Sequence, residues 1–310
     1  MNCPSASRAL VVAPLGRVER PYRSDRYLVE LVNFTELDSA IERALAEDVG
    51  HGDLTTQATV PRGKRGRARI IAKEPEMVFA GGFIFVRVFA MTGSQPQVIK
   101  LAEEGARVKS RMVVGEYTGE LAGLLTGERV ALNFVQLLSG VATLTNKFVE
   151  AVAGTAARII DTRKTHPGLR ALEKYAVRAG GGHNHRFGLD SGILIKDNHI
   201  AAAGSITRAI DSARRFAPHT LLVEVECETL EQVEEARSAS ADAILLDNMT
   251  VDEIRRARSK AGPGIRLEVS GNVTLETVRS IAEAGVDLIS VGALTHSARA
   301  MDLSMRIEDA

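Results

Sequence analysis

An α/β fold is what the sequence predicts: an incomplete parallel α/β barrel of six to seven strands, preceded by a smaller α+β domain with antiparallel pairing. Three observations predict it. Beyond Gly154, six strand-like runs alternate with amphipathic helices; nearly every run ends in residues able to do chemistry; and between residues 66 and 125 the period changes to short runs broken by glycines. Six successive βα units require a parallel sheet. An open sheet gathers its site at one switch point, whereas a barrel spreads it over many strand ends. The spread along this chain favours the barrel.

Taken in order, the first thirty or so residues read as a weakly ordered extension. Their apolar stretch Ala9 to Gly16 is short for a signal-peptide core and is followed by Arg17, Glu19 and Arg20 rather than a small-residue cleavage site. From Asn33 the spacing of Leu37, Ile41, Ala44 and Leu45 predicts a helix, with Thr35 and Asp38 as a capping box and Gly50 after its end. Strand-like runs follow at Ala68 to Ala72, Val98 to Leu101 and Met112 to Val114, with glycines at 81, 82, 93, 105, 115, 119 and 123, and one or two helices among them. The most hydrophobic region, Met77 to Met91, contains Arg87 and two glycines. It falls short of the ~20 apolar residues of a spanning helix. From Thr126, two apolar helical stretches, to about Ser139 and then Val141 to Ala153, form a bridge.

The regular part has strands at Arg158 to Asp161, Ile193 to Lys196, Leu221 to Glu226, Ala243 to Asp247, Ile265 to Ser270 and Asp287 to Gly292. Helix starts are marked by Pro167, Ser205, Thr229 with Gln232, Thr250 with Glu253, and Thr274. Stops are marked by Gly180, Pro218, Gly262 and Gly285.

Composition narrows the function. The 310 residues hold 39 Lys plus Arg against 39 Asp plus Glu, with 4% aromatics and no Trp. A chain without a basic excess lacks the charge to neutralise phosphate backbones, and few aromatics leave little for base stacking. The two cysteines, Cys3 and Cys227, make neither a disulfide framework nor a metal cluster, which points to a reducing, cytoplasmic setting. Neutrality is local cancellation: residues 158 to 199 carry net +4, residues 224 to 253 net −9.

The basic segment holds the densest constellation: Asp161-Thr-Arg163-Lys164-Thr-His166-Pro-Gly168, then Gly180-Gly181-Gly182-His183-Asn184-His185-Arg186, then Lys196-Asp197-Asn198-His199. Guanidinium forks match planar carboxylates and ammonium groups match phosphates, so Arg163, Lys164, Arg186 and Lys196 describe a pocket for a polyanion. The three glycines before His183 allow a tight turn and a close backbone approach to a ligand. Arg170, Lys174 and Arg178 read as the wet face of the intervening helix. The acidic set is Glu224, Glu226 and Asp247 at adjacent strand ends. Glu224 and Glu226 share one side of their strand, and inside a barrel they need a partner or a metal such as Mg²⁺. For Glu224 a salt bridge to a lysine and direct ligand contact stand as equal readings. Ser270-Gly271-Asn272 and Val291-Gly292-Ala293, at consecutive strand ends, suit a phosphate. Cys227 beside acidic residues is a poor thiolate, and His51 and His219 read as surface. No dinucleotide, P-loop or zinc motif is present.

At this point the chain resembles the quinolinate phosphoribosyltransferases, the carboxylating nicotinate-nucleotide pyrophosphorylases. The likeness rests on Asp161-Thr-Arg-Lys-Thr-His-Pro-Gly-Leu-Arg170, Gly180-Gly-Gly-His-Asn-His-Arg-Phe-Gly188, Leu194-Ile-Lys-Asp-Asn-His199, Val223-Glu-Val-Glu226, Leu246-Asp-Asn-Met249, Glu268-Val-Ser-Gly271 and Ser290-Val-Gly292. Gly52-Asp53-Leu-Thr-Thr56 and Glu128-Arg129-Val-Ala-Leu-Asn133 extend it. His166 stands where the family often carries threonine. The resemblance implies an open-faced sandwich domain over 33–132, a barrel over 133–295 and a C-terminal helix, 296–310, packed on the sandwich, with 1–32 as the extension. It implies a homodimer in which one subunit's sandwich covers the other's barrel mouth, and a Mg²⁺-assisted reaction of quinolinate with phosphoribosyl pyrophosphate to nicotinate mononucleotide, pyrophosphate and CO₂ in de novo NAD synthesis. By motif, Thr162, Arg163, His185, Arg186 and Lys196 would hold quinolinate, with Arg129 donated by the partner subunit. Lys164 would meet the pyrophosphate, and with Glu226 and Asp247 would make the catalytic set. Those two carboxylates would also serve the ribose hydroxyls and Mg²⁺, directly or through water. Ser270, Gly271, Asn272, Val291, Gly292, Ala293 and His296 would hold the 5′-phosphate. Two other readings fit the same barrel: a paralogous transferase for another pyridine or a molybdenum-transport-linked substrate, and a non-catalytic anion sensor.

Overall fold

The structure is a computed structural model that describes residues 34–308. The expected extension over 1–32 lies outside the described residues. The first domain is built on a four-stranded antiparallel sheet in the order β12-β1-β5-β3, where β1 is Arg65–Ala72, β3 is Gln97–Leu101, β5 is Val113–Glu120 and β12 is Leu303–Glu308. Strict alternation explains its sidedness. Ala68, Ile70 and Ala72 of β1 are fully buried, while Arg65, Arg67 and Arg69 point the other way. The buried face lies under the helices Phe34–Val49, Phe83–Met91 and Leu121–Ala151, with Tyr117 packed between Phe85 and Phe89 at centroid distances of 5.8 and 5.5 Å. On the other face Glu116 pairs with Arg67 and Arg69 at 3.1 and 3.5 Å.

The C-terminal segment corrects an expectation. In place of a helix over 296–310, a short helix, Ala293–His296, is followed by β12, which pairs antiparallel with β1 from Leu303 opposite Ala72 to Glu308 opposite Arg67. The reason is period two: Leu303, Met305 and Ile307 alternate with Ser304, Arg306 and Glu308, a pattern that buries one side of a strand and would scatter around a helix. The segment does return to the first domain, as a sheet strand.

The bridge is also different. One continuous helix, Leu121–Ala151, replaces the two stretches, and the domain boundary expected at 132/133 falls inside it. Ser139-Gly140 read as a break because glycine weakens helices. Here its missing Cβ admits the backbone of Arg299 and Ala300, which a side chain would strike. Ser139 and Thr143 then serve the segment 78–80: Ala80 N donates to Ser139 Oγ at 3.1 Å and Val78 N to Thr143 Oγ1 at 2.8 Å.

The second domain has a six-stranded parallel sheet in the order β6-β11-β10-β9-β8-β7: Arg158–Ile160, Leu288–Ser290, Arg266–Ser270, Ala243–Asp247, Val223–Cys227 and Ile193–Ile195. Outer strands β6 and β7 do not pair with each other. The gap is crossed by residues 183–192, anchored by a single parallel bridge from His183 to Ile160. The expected caps act at Ser205, Thr229 and Thr250, whose side chains accept the backbone N–H of the residue three further on. Helix Arg170–Ala179 starts after, not at, Pro167, and Val278–Glu283 starts after Thr277, which stands at its N-cap position without a side-chain cap hydrogen bond, while the Thr274 carbonyl accepts Val278 N at 2.9 Å.

Asp53 shows how the domain fixes small elements. It caps Leu54–Thr59, accepting Thr56 N at 2.9 Å and Thr56 Oγ1 at 2.5 Å, and also accepts Thr126 Oγ1 of the long helix at 3.0 Å. These hydrogen bonds, Thr56 first, hold its carboxyl below the usual range. Asp53→Ala is expected to cost about 1 kcal/mol. Because the folded value is depressed, that contribution is present above the unfolded value and vanishes as pH falls through the folded one. Urea unfolding at pH 7 and at pH 3 checks this, as the variant should approach wild type only in acid.

Candidate active site

Strand direction places the candidate residues. Along β8, Glu224 and Glu226 face the barrel interior together, Glu224 lower and Glu226 at the carboxyl end. Asp247 closes the neighbouring β9, and Ser270 closes β10 beside it, in register with Asp247. Lys196 follows β7, where His199 Nδ1 accepts its N–H at 3.0 Å, and its ammonium ion-pairs with Glu226. Thus two carboxylates and one cation lie at three adjacent strand ends.

Lys164 reaches the mouth from the opposite side. Its N–H is held by Thr162 Oγ1 at 3.0 Å, and its carbonyl accepts Thr295 Oγ1 at 2.7 Å, which ties the loop after β6 to the helix Ala293–His296. A Cβ on Gly292 would come within 3.1 Å of both Lys164 Cδ and His296 Nε2. Gly292 is therefore glycine so that Lys164 and His296 can converge over it.

The loops after β9 and β10 carry a feature that motif reading missed. Asn248, directly after β9, and Asn272, two residues past the end of β10, adopt φ of +55° and +51°, which asparagine tolerates better than most residues. They are joined, Asn272 Nδ2 donating to Asn248 Oδ1 at 3.0 Å, and Asn248 Nδ2 donates to Asp247 Oδ2 at 2.7 Å. Gly271, at φ +90°, leaves room for the Asn248 side chain. Asn248 thus orients Asp247. Only the Asp-Asn dipeptide at a strand end could have signalled it.

Arg163 is exposed on the loop after β6, and Arg186 is half-buried with Nη1 donating to Gly192 O at 3.0 Å. Burial, and then the charge of Arg163, pushes the Arg186 guanidinium below its ordinary range. Two like charges held close by the fold suit an anion between them. Arg129 lies exposed on the helix Leu121–Ala151 and makes no hydrogen bond or ion pair to these residues among the described ones.

Other placements correct expectations. His185 is turned into the barrel: its Nδ1 accepts Arg186 N at 2.6 Å, and its Nε2 lies 3.4 Å from Glu224 and 3.5 Å from Glu268. Glu224 therefore faces a histidine where a lysine was expected as the salt-bridge partner. Lys174 is not on a wet face. It is 4% exposed, ion-paired with fully buried Asp161, and donates to His185 O at 3.0 Å. Arg170 and Arg178 likewise tie loops, to Thr165 and Phe187 O and to Gly182 O and His183. Glycines 180 and 182 approach the long helix at Ala142 and Thr145, and Gly181 supplies a left-handed turn at φ +88°. His166 Nδ1 contacts buried Glu173 at 2.5 Å. Cys227 is buried and its thiol is pushed up to about 12, by burial first and then by Glu235 and Glu226. His51 and His219 are exposed.

The larger cavity, about 680 Å³, opens at the amino ends of the strands, past Arg158 and Arg266, and reaches up to Glu224, Glu268 and His185. It lies below the strand-end residues. A second, about 470 Å³, lies between the helix Phe34–Val49 and residues 165–171. No described helix is long and apolar enough to cross a membrane.

Comparison with known proteins adds an independent line. Residues 53–139 match the model of the quinolinate phosphoribosyl transferase N-terminal domain, and residues 141–306 that of its C-terminal domain. The chain is 47% identical over 274 residues to a probable nicotinate-nucleotide pyrophosphorylase (carboxylating) of Synechocystis sp., covering 87% of this chain and 92% of that one. It is 44% identical over 280 residues to the nicotinate-nucleotide pyrophosphorylase (carboxylating) of Mycobacterium leprae, covering 87% and 98%. Its fold resembles that of the crystal structure of NadC from Streptococcus pyogenes, with a TM-score of 0.86 and 42% identity over 89% of this chain and 98% of that one.

Proposed function

Because the chain belongs to the quinolinate phosphoribosyltransferase family, we propose that its barrel mouth is the site of that family's reaction and assign the work among its residues. The protein is a pentosyltransferase of de novo NAD synthesis: it joins quinolinate to phosphoribosyl pyrophosphate and yields nicotinate mononucleotide, pyrophosphate and CO₂. The paralogous-substrate and anion-sensor readings are not favoured, since the relatives at 44–47% identity are carboxylating pyrophosphorylases. The observation that carries the assignment is the ion pair of Lys196 with Glu226 at strand ends next to Asp247, with the charge of Arg163 felt by Arg186.

In this assignment Arg163 and Arg186 fork onto the two quinolinate carboxylates, with Lys196 and Thr162 beside them. His185 acts from below, through Arg186 and the barrel carboxylates, since both its ring nitrogens face protein groups. Ser270, Gly271, Asn272, Val291, Gly292, Ala293 and His296 receive the 5′-phosphate, and Lys164 meets the pyrophosphate. As the C1–oxygen bond breaks, positive charge grows on the ribose, and Glu226 and Asp247 face it; the pyridine nitrogen supplies the electron pair for the new bond, so no base is needed. After transfer, the pyridinium nitrogen draws the electrons left when CO₂ departs from C2, and C2 then takes a proton.

Glu226 and Asp247 fit Mg²⁺: both offer hard oxygens at neighbouring strand ends, and each keeps one carboxylate oxygen that no protein group engages among the described residues. Bound there, the ion would neutralise charge on the pyrophosphate. A cytoplasmic setting and a homodimer belong to the same proposal, with Arg129 reaching the partner's mouth. The test is quinolinate-dependent formation of nicotinate mononucleotide with release of CO₂. It extends to shared sites. Arg129→Ala and Arg163→Ala, each inactive alone, should regain roughly a quarter of wild-type activity when unfolded together and refolded, because half the dimers then carry one intact site of two. Activity no higher than the sum of the separate variants would remove Arg129 from the partner's site.

A further inference from the structure

Glu268 sits in the middle of β10, 1% exposed, and its Oε1 has no hydrogen-bond partner among the described residues; Glu224 Oε1 beside it has none among them either. Both carboxyls line the lower cavity. Around Glu268 stand Glu224 of β8, His185 of the crossing segment, Ser290 of β11 and, in register on β9, Leu245; Lys174 acts on His185 from behind, and Arg266 lies two residues earlier on the same strand. Contacts of 3.4 and 3.5 Å from His185 Nε2 to the two carboxyls are also what a small divalent ion among three ligands would give. The imidazole excludes that reading. Its Nδ1 accepts the Arg186 N–H, so Nε2 carries the ring proton and has no lone pair for a metal. The cluster holds protons.

We infer that Glu268 is a positioning residue for quinolinate, resting on the function proposed above: kept as a neutral acid beneath Arg186, it spares the anion pocket a second buried negative charge. Glu224 lies in the field of Arg186, Arg186 in that of Arg163, and His185 bridges Glu224 and Glu268. Burial, and then the charge of Glu224, pushes the Glu268 carboxyl up to about 8. At neutral pH the proton is on. Above that value its loss adds a charge below the guanidiniums, which weakens their hold on a dianion without touching the bond-making groups.

The test is the pH dependence of quinolinate KM and of kcat from pH 7 to 9.5 in wild type and in Glu268→Gln, whose amide copies the neutral acid. Wild-type quinolinate KM is expected to climb about tenfold per pH unit above the titration, with kcat and the phosphoribosyl pyrophosphate KM changing about twofold or less. The Gln variant should match wild type at pH 7 and stay flat. Wild-type turnover with a quinolinate KM that is flat, or that climbs equally in the variant, overturns the inference alone; a wild type that makes no nicotinate mononucleotide at any pH overturns the function beneath it. If the variant does not fold, infrared difference spectra of wild type decide. A neutral-carboxyl band lost in step with the rise in KM supports the inference, and a rise in KM with no such loss overturns it.

Discussion

Replacing Arg163 with alanine is expected to lower kcat/KM for quinolinate by roughly two to three orders of magnitude, the equivalent of about 3 to 4 kcal/mol for a charged, two-pronged contact. Stability should hardly change. The side chain is exposed and makes no hydrogen bond among the described residues, so the folded protein loses nothing by its removal. Neighbouring Arg186 gains by it, since the charge of Arg163 is one of the two effects that depress its guanidinium. A defect confined to quinolinate, with phosphoribosyl pyrophosphate KM within about twofold, separates a substrate contact from a damaged fold. Arg163→Lys refines the result. It keeps the charge and loses the planar fork, so a loss of about tenfold or more marks bidentate recognition, while full rescue marks simple attraction. Near-normal turnover of the alanine variant would remove Arg163 from the site.

How far the sequence disclosed this molecule depends on whether a residue's partner lay near it in the chain. Strands β6 to β11 and the caps at Ser205, Thr229 and Thr250 were legible because period and capping are local signals. Strand-end residues such as Glu226, Asp247 and Gly292 were legible because barrels place chemistry there. β12 was misread as a helix because its pairing partner, β1, is more than 230 residues away and its own alternation covers only six residues. Ser139-Gly140 looked like a break because the segment it accommodates, at Arg299, is equally remote. His185 was legible as a histidine beside the basic cluster and not as one facing Glu268, a residue with no strand-end position to draw attention to it. Lys174 was misplaced for a related reason: a lysine on a helix with acidic and basic neighbours looks solvated until the strand behind it supplies Asp161.

That buried pair carries the second large effect. Asp161 is fully buried at the end of β6 and Lys174 nearly so, and burial works against both charges, raising the carboxyl and lowering the ammonium from their ordinary ranges. Asp161 is further satisfied by Asn184 Nδ2 at 2.6 Å and His185 N at 2.9 Å. Lys174→Met keeps the length and apolar stem but strands the carboxylate, which is expected to cost about 3 to 5 kcal/mol. For a protein of this size that lowers Tm by roughly 10 °C. Pairing it with Asp161→Asn removes both charges and leaves an amide whose single oxygen can keep the His185 N–H, while its NH2 takes the place of the oxygen that accepts from Asn184. The double variant should therefore recover part of the lost stability, against the sum of two separate losses expected of independent sites. Activity should not recover with it, because Lys174 also holds the His185 carbonyl and so the backbone that delivers Arg186 to the mouth. Calorimetric melts of the two singles and the double, read beside quinolinate kcat/KM, separate the two roles. Additive losses in Tm would mean the two charges are not a coupled pair, and full activity in the double would mean that Arg186 is positioned without them.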